Sequence, residues 1–228
     1  MREIVLDTET TGLDPAQGHR IVEIGAVELF NHIATGKTYH VYLNPERDMP
    51  REAEAVHGLS SVFLKDKPLF ASQADDFLAF IGDATLVIHN AGFDMNFINA
   101  ELSYTGKLAV PMDRVVDTLG LARKTHPMGP NSLDALCRRY GVDNSRRTKH
   151  GALLDSELLA EVYLEMIGGK QTSFGLGDVP RRSKAAFTVA GSLQVSRPVP
   201  LASRLTEEER QAHGAAITAL GAQALWNS

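Results

Sequence analysis

The nine residues "IVLDTETTG", Ile4 to Gly12, set the first question about the fold. Ile4, Val5 and Leu6 form an apolar run that reads as a short buried strand. Two acids follow, Asp7 and Glu9, with a threonine between them. Side chains alternate faces along a strand, so residues two apart share one. Both carboxylates therefore point the same way at the end of a core element. Like charges so placed raise the cost of ionising each other. Two readings follow: an exposed strand end with solvated acids, or a site for a hard divalent cation that removes the repulsion.

Composition narrows the class. The chain has 228 residues, 43% hydrophobic and 22% charged, as in an ordinary globular protein with room for one good core and an appendage. No apolar run approaches membrane-spanning length, and the N-terminus leads into a strand without a signal-peptide pattern. The single cysteine, Cys137, excludes a disulfide framework, sits in an apolar-periodic stretch and suits a reducing cytoplasm. The formal net charge of -5 argues against tight binding of nucleic acid by charge alone. Residues 1–170 carry 17 Lys and Arg against 24 Asp and Glu, and the remainder carry 6 against 4. An acidic domain that acts on DNA would need metal at its site.

The pattern along the chain is β-β-β-α-β-α-β-α-α-α. "IVEIGAVEL" and "TYHVYLNP" read as the second and third strands, in a meander with the first. "LFASQADDFLAFIG" has helical spacing, "TLVIHN" is a fourth strand, "FDMNFINAELSY" a helix, and "RVVDT" a short fifth strand. "TLGLARKTH", "SLDALCRRYG" and "ALLDSELLAEVYLEMIGG" are helices, the last stopped at Gly168-Gly169. The class is α/β, a mixed sheet flanked by helices. From Lys170 to Arg204 the chain turns rich in Gly, Ser, Pro and Arg, which reads as a largely disordered linker. Helical character returns near Leu205, with Thr206 and Glu209 spaced as a capping box.

Three more positions carry possible chemistry. Asp94, in "HNAGFD", falls in the first turn of the helix after the fourth strand, where the helix dipole alone would favour an acid. Asp117 reads as a helix N-cap. His150 and Asp155 lie five residues apart in "KHGALLD". Five residues turn a helix by roughly 500°, so the two cannot share a helical face. His150 is therefore placed in the loop before the helix, and Asp155 in its first turns.

Four acids and a histidine, each at the end of a regular element, resemble the DEDDh exonucleases, which have a ribonuclease H-like fold. Within that family the chain is most similar to the epsilon proofreading subunits of bacterial DNA polymerase III. "IVLDTETTG", "RIVEIGAVEL", "VHGLS", "LVIHNAGFD", "NSLDALCRRYGVDNSRRTKHGALLD" and "LAEVYL" carry the resemblance over nearly all of residues 1–170. It implies that Asp7, Glu9, Asp94 and Asp155 are the family's acids and His150 its histidine. Asp7, Glu9 and Asp155 would touch two divalent cations, Mg²⁺ or Mn²⁺, with Asp7 bridging, while Asp94 acts through water. His150 would be the general base, since imidazole side chains exchange protons near neutral pH. Thr10, Thr11, Gly12, Glu52 and His57 would line the pocket of the terminal nucleotide. Arg146, Arg147 and Lys149 stay open between contacts to a phosphate backbone and a solvated basic loop.

"QTSFGL" resembles the clamp-binding hexamer of bacterial replication proteins, with Gln171, Phe174 and Leu176 as its anchors. Trp226, the only tryptophan, would anchor the polymerase alpha subunit. The expected organisation is an exonuclease domain over residues 1–169, a linker with the clamp motif over 170–204, and a polymerase-binding segment over 205–228. Two other functions remain at this point. A free-standing nuclease for RNA or oligonucleotides would not need the hexamer and the Trp-ended helix. A silent scaffold between clamp and polymerase would have lost an acid or the histidine, and none is lost.

Overall fold

The computed structural model describes residues 1–168 and 206–220. The elements of the first unit are β1 (Arg2–Thr10), β2 (Ile21–Phe30), β3 (Ile33–Tyr42), α1 (Arg51–His57), α2 (Ser61–Leu64), α3 (Phe70–Ile81), β4 (Thr85–Ile88), α4 (Ala91–Tyr104), β5 (Val115–Asp117), α5 (Thr118–Thr125), α6 (Leu133–Tyr140) and α7 (Ala152–Met166). The five strands form one mixed sheet in the order β3-β2-β1-β4-β5. β1, β2 and β3 pair antiparallel as a meander, while β4 lies parallel to β1 and to β5. Parallel neighbours need long crossovers. The segment with α1, α2 and α3 supplies one and α4 the other.

The pleat of β1 sorts its side chains between two helical layers. Ile4 and Leu6 pack with Phe70, Phe77 and Ile81 of α3 and with Met95, Ile98 and Leu102 of α4. Val5 faces the other way, onto Leu159 and Tyr163 of α7. By the same alternation Asp7 and Glu9 belong to the α7 side of the sheet, and Thr8 to the α4 side. β1 does not stop at Leu6: it pairs with β2 through Asp7↔Gly25 and Glu9↔Glu23, with a register shift between Glu9 and Thr10. A bulge re-aims the side chains around it.

Gly25 decides how near α7 can come. A Cβ there would lie 2.1 Å from the backbone nitrogen of Leu153, a distance no real contact tolerates. The bare glycine lets the first turn of α7 rest on β2 directly opposite Asp7, and the Ser156 hydroxyl donates to the Gly25 carbonyl at 2.8 Å. That seating brings Asp155 to the acids of β1.

Three expectations need correction. β3 begins at Ile33, not Thr38, because Asn31 and His32 adopt positive φ of 50° and 63° and form a two-residue turn that starts the ladder at once. α1 and α2 were not expected. α1 has seven residues and α2 four, too few to show a period; Ser60 caps α2 by accepting from the Phe63 amide. α4 starts at Ala91, two residues early, because the Asp117 carboxylate accepts from the Asn90 and Ala91 amides. Asp117 also caps α5 as expected, accepting from Leu119.

In a separate unit, α8 (Glu207–Leu220) opens with the capping box. The Glu209 amide donates to Thr206 Oγ1 at 3.2 Å, and Glu209 Oε2 accepts from the Thr206 amide at 2.8 Å. Among the described residues no helix is long and apolar enough to cross a membrane.

Candidate active site

The end of β1, the start of α4, the start of α7 and the loop before α7 converge on a cleft of about 720 Å³. Asp7, Glu9, Asp94, His150 and Asp155 all line it. The five residues singled out from sequence are thus brought together from positions up to 148 apart.

The acids crowd one another. Glu9, Asp94 and Asp155 are buried, and Asp7 is half-buried. Burial, then the charges of Asp155, Glu23 and Asp94, push the Glu9 carboxyl up to about 8. Burial first, then Asp94, Glu9 and Asp155, holds Asp7 well above the usual carboxylate range. Asp94 is raised to about 7 by burial, against hydrogen bonds that pull it down. Those bonds come from Thr8, whose amide and hydroxyl both donate to Asp94 Oδ1, at 3.0 and 2.7 Å. One oxygen of Asp94 is therefore occupied by β1 itself.

Ligand atoms of Glu9, His150 and Asp155 all lie within 4.8 Å of one another. His150 occupies the loop, as its spacing from Asp155 requires, with Nδ1 3.4 Å from Asp155 Oδ2. The donor set is hard carboxylate oxygen with one imidazole, which suits a divalent cation.

Sequence reasoning missed the role of Arg147. Its side chain is only 7% exposed, so it is neither a solvated charge nor an outward phosphate contact. Nε donates to Asp155 Oδ1 at 2.5 Å and Nη2 to Asp155 Oδ2 at 2.6 Å, a bidentate pair. Nη1 lies 2.9 Å from Asp134 Oδ2, and Asp134 Oδ1 accepts from Asn144 at 2.9 Å. The guanidinium lowers the carboxyls of Asp7 and Glu9 against the repulsion around them. No spacing in "NSRRTKH" distinguishes Arg147 from Arg146; only the seating of α6 against α7 does.

A second cleft of about 520 Å³ adjoins the first and shares Thr8, Glu9 and Phe93 with it. Thr10, Thr11, Gly12, Glu52 and His57 line it, so the residues assigned to the terminal nucleotide gather in one place. α1 forms its wall. His57 is buried; its Nδ1 accepts from the Leu59 amide at 3.0 Å, which leaves the ring proton on Nε2, and Nε2 has no hydrogen-bond partner. Burial is the main cause of its lowered pKa, which keeps the ring neutral. Gln171, Phe174, Leu176 and Trp226 lie outside the described residues.

A family model described as "Exonuclease" matches residues 4–163. The DNA polymerase III subunit epsilon of Rickettsia prowazekii is 52% identical over 217 residues, covering 93% of this chain and 94% of that one. The subunit of the same name from Escherichia coli is 46% identical and covers 100% of this chain and 98% of its own. Among solved structures, exonuclease X in complex with 5′ overhanging duplex DNA aligns with a TM-score of 0.56 at 23% identity, over 72% of this chain and 90% of that one. The nuclease domain of a DEDDh family member bound to rAMP aligns with a TM-score of 0.63 at 17% identity, over 73% and 91%. At those identities the structures speak for the fold, and the near full-length relatives speak for the family. A ribonuclease H-like sheet with four acids at the ends of its elements, matched end to end by named subunits, makes this chain a member of the exonuclease family and, within it, of the DNA polymerase III epsilon subunits.

Proposed function

We propose that the chain is the proofreading 3′–5′ exonuclease of a replicative DNA polymerase III, hydrolysing the last phosphodiester of a mismatched primer. The convergence of Asp7, Glu9, Asp94, His150 and Asp155 in one cleft carries this reading. The cleft beside it, lined by Thr10, Thr11, Gly12, Glu52 and His57, supports the recognition of a chain end. Leu13, Pro50, Ala53 and Val56 give that cleft apolar surface for a base. The buried Nε2–H of His57, with the Thr10 backbone beside it, is the donor offered to the terminal nucleotide.

Divalent metal dependence is general to the family, and the residues here fit it. The crowded carboxyls need a counter-charge, and Glu9, His150 and Asp155 can offer ligand atoms within 4.8 Å. Two ions, Mg²⁺ or Mn²⁺, would clamp the attacking and leaving oxygens of an in-line displacement. Asp7, Glu9 and Asp155 would hold them. Asp94, with Oδ1 tied to Thr8, acts through water from its other oxygen. His150 takes the proton of the attacking water at its acceptor nitrogen. The scissile end is single-stranded or frayed, so that the last base can enter the second cleft.

The chain works in the cytoplasm, held to the polymerase alpha subunit through residues 205–228, with Trp226 as anchor. Residues 170–204 link that segment to the exonuclease domain of residues 1–169 and touch the sliding clamp through Gln171, Phe174 and Leu176. The test is degradation of a mismatched primer by the full chain assembled with its polymerase subunit. Removal of the mismatch should require Mg²⁺ or Mn²⁺ and vanish in Asp7→Ala with the fold retained. Robust hydrolysis by Asp7→Ala, or in excess EDTA, would sink the assignment.

A further inference from the structure

Arg147 binds both halves of the proposed machinery at once. Its Nε and Nη2 take the two oxygens of Asp155 at 2.5 and 2.6 Å. The same Nη2 lies 2.8 Å from His150 Nδ1. A guanidinium only donates and does not lose its charge. His150 Nδ1 is therefore the acceptor in that contact, its neutral ring carries the proton on Nε2, and its one free lone pair is taken. Asp155 meets a positive charge across both oxygens, one of which lies within 4.8 Å of the ligand atoms of Glu9 and His150. A divalent cation at Asp155 and the guanidinium in this position would stand within a few ångströms of each other, two like charges on one carboxylate.

The side chain has somewhere else to go. Nη1 already lies 2.9 Å from Asp134 Oδ2, and Asp134 is 42% exposed, outside the crowded acids. Asn144 fixes the other oxygen of Asp134 at 2.9 Å, so this second partner is held in place. A small rotation of the guanidinium toward Asp134 gives up Asp155 and His150 together.

Resting on the reading of Asp155 as a metal ligand, we propose that Arg147 is a latch: its guanidinium and a divalent cation compete for Asp155, and cation binding turns Arg147 onto Asp134, freeing the His150 lone pair in the same movement. Loading of metal and readiness of the base are then one event. A latch closed about nine-tenths of the time weakens apparent cation affinity about tenfold, because only the open fraction binds.

Two measurements on the full chain test this. Calorimetric titration with Mg²⁺ should show Arg147→Gln binding about tenfold more tightly than wild type, the reverse of what loss of a purely structural contact would do. In wild type, the Arg147 Nε–H signal in a nitrogen-15 proton spectrum, assigned by its absence in Arg147→Gln, should be well resolved in EDTA. It should move with a midpoint equal to the calorimetric one. If Arg147→Gln does not fold, the movement of the wild-type signal on Mg²⁺ addition decides alone, with assignment by Arg147→Lys. Unchanged affinity in Arg147→Gln, or a signal that stays in place at saturating Mg²⁺, would overturn the latch while leaving the metal site intact. Absence of any Mg²⁺ heat in wild type would instead overturn the metal reading on which the latch rests.

Discussion

The pressure among the carboxyls has a consequence for stability that Glu9→Gln isolates. Glu9 is 8% exposed and its carboxyl is pushed from 4.5 up to about 8, first by burial and then by Asp155, Glu23 and Asp94. Below about pH 4.5 the group is protonated in both folded and unfolded chain and makes no difference. As pH rises from 4.5 toward 8, the unfolded chain gives up the proton and the fold keeps it, so stability is lost through that window. At about 1.4 kcal/mol per pH unit, the loss at pH 8 is about 3–5 kcal/mol. Gln keeps the shape and cannot ionise. In EDTA at pH 8, Glu9→Gln should therefore melt on the order of 10 °C above wild type, given about 2–4 °C per kcal/mol for a chain of this size. At pH 4.5 the two should coincide. Mg²⁺ should raise the melting temperature of wild type at pH 8 far more than that of the variant, and the variant should degrade no primer. Thermal melts followed by circular dichroism at the two pH values measure all of this. A variant no more stable than wild type at pH 8 in EDTA would refute the reasoning, since it would mean that Glu9 is not held against its neighbours' charge.

Two further outcomes are expected. His150→Ala should lower turnover on single-stranded DNA about 10²–10⁴-fold, the range of a positioned base, while calorimetry still detects cation binding; loss of binding would make His150 a ligand instead. Cutting the chain after Gly169 should leave exonuclease activity on single-stranded DNA near wild type and abolish co-elution with the polymerase subunit and with the clamp on gel filtration. A truncated chain that still co-elutes would move the attachment into the exonuclease domain.

What could be read from sequence was whatever shows a period or a fixed spacing. β2, α3, α6 and α7 lie where alternation and helical spacing put them, and the offset of five residues was enough to place His150 in a loop and Asp155 in a helix. α1 and α2 are too short to carry a period, and with α1 went the wall of the second cleft. The first half of β3 is exposed along its length, so no apolar alternation marks it; a turn at Asn31 and His32 sets its start instead. Gly25 reads as a weak point in a strand, and its reason lies 128 residues away in the backbone of Leu153. Arg147 is the instructive failure. A basic run in a polar loop reads as surface, because local pattern reports exposure only where a regular element defines two faces. Its partners come from α6 and α7, and their meeting is a tertiary fact.

The pleat of β1 explains why the site needs both helical layers. Asp7 and Glu9 share the face of Val5, and that face is covered by α7, so Asp155 in α7's first turn joins them from the same side. Asp94 belongs to α4, on the face of Ile4 and Leu6, and reaches the cleft around the end of the strand with Thr8 as its tether. A slip of one residue in the pairing of β1 would exchange the faces, sending the two acids toward α4 and the apolar run's neighbours toward α7. The alternation that buries Ile4, Val5 and Leu6 thus also holds the acids in register. Their repulsion is tolerated because nine buried apolar side chains of the α3 and α4 layer and a bare glycine under α7 oppose it. Breaking a local rule against adjacent like charges, at the end of a strand otherwise consistent with every rule, is what separates a catalytic strand end from a structural one.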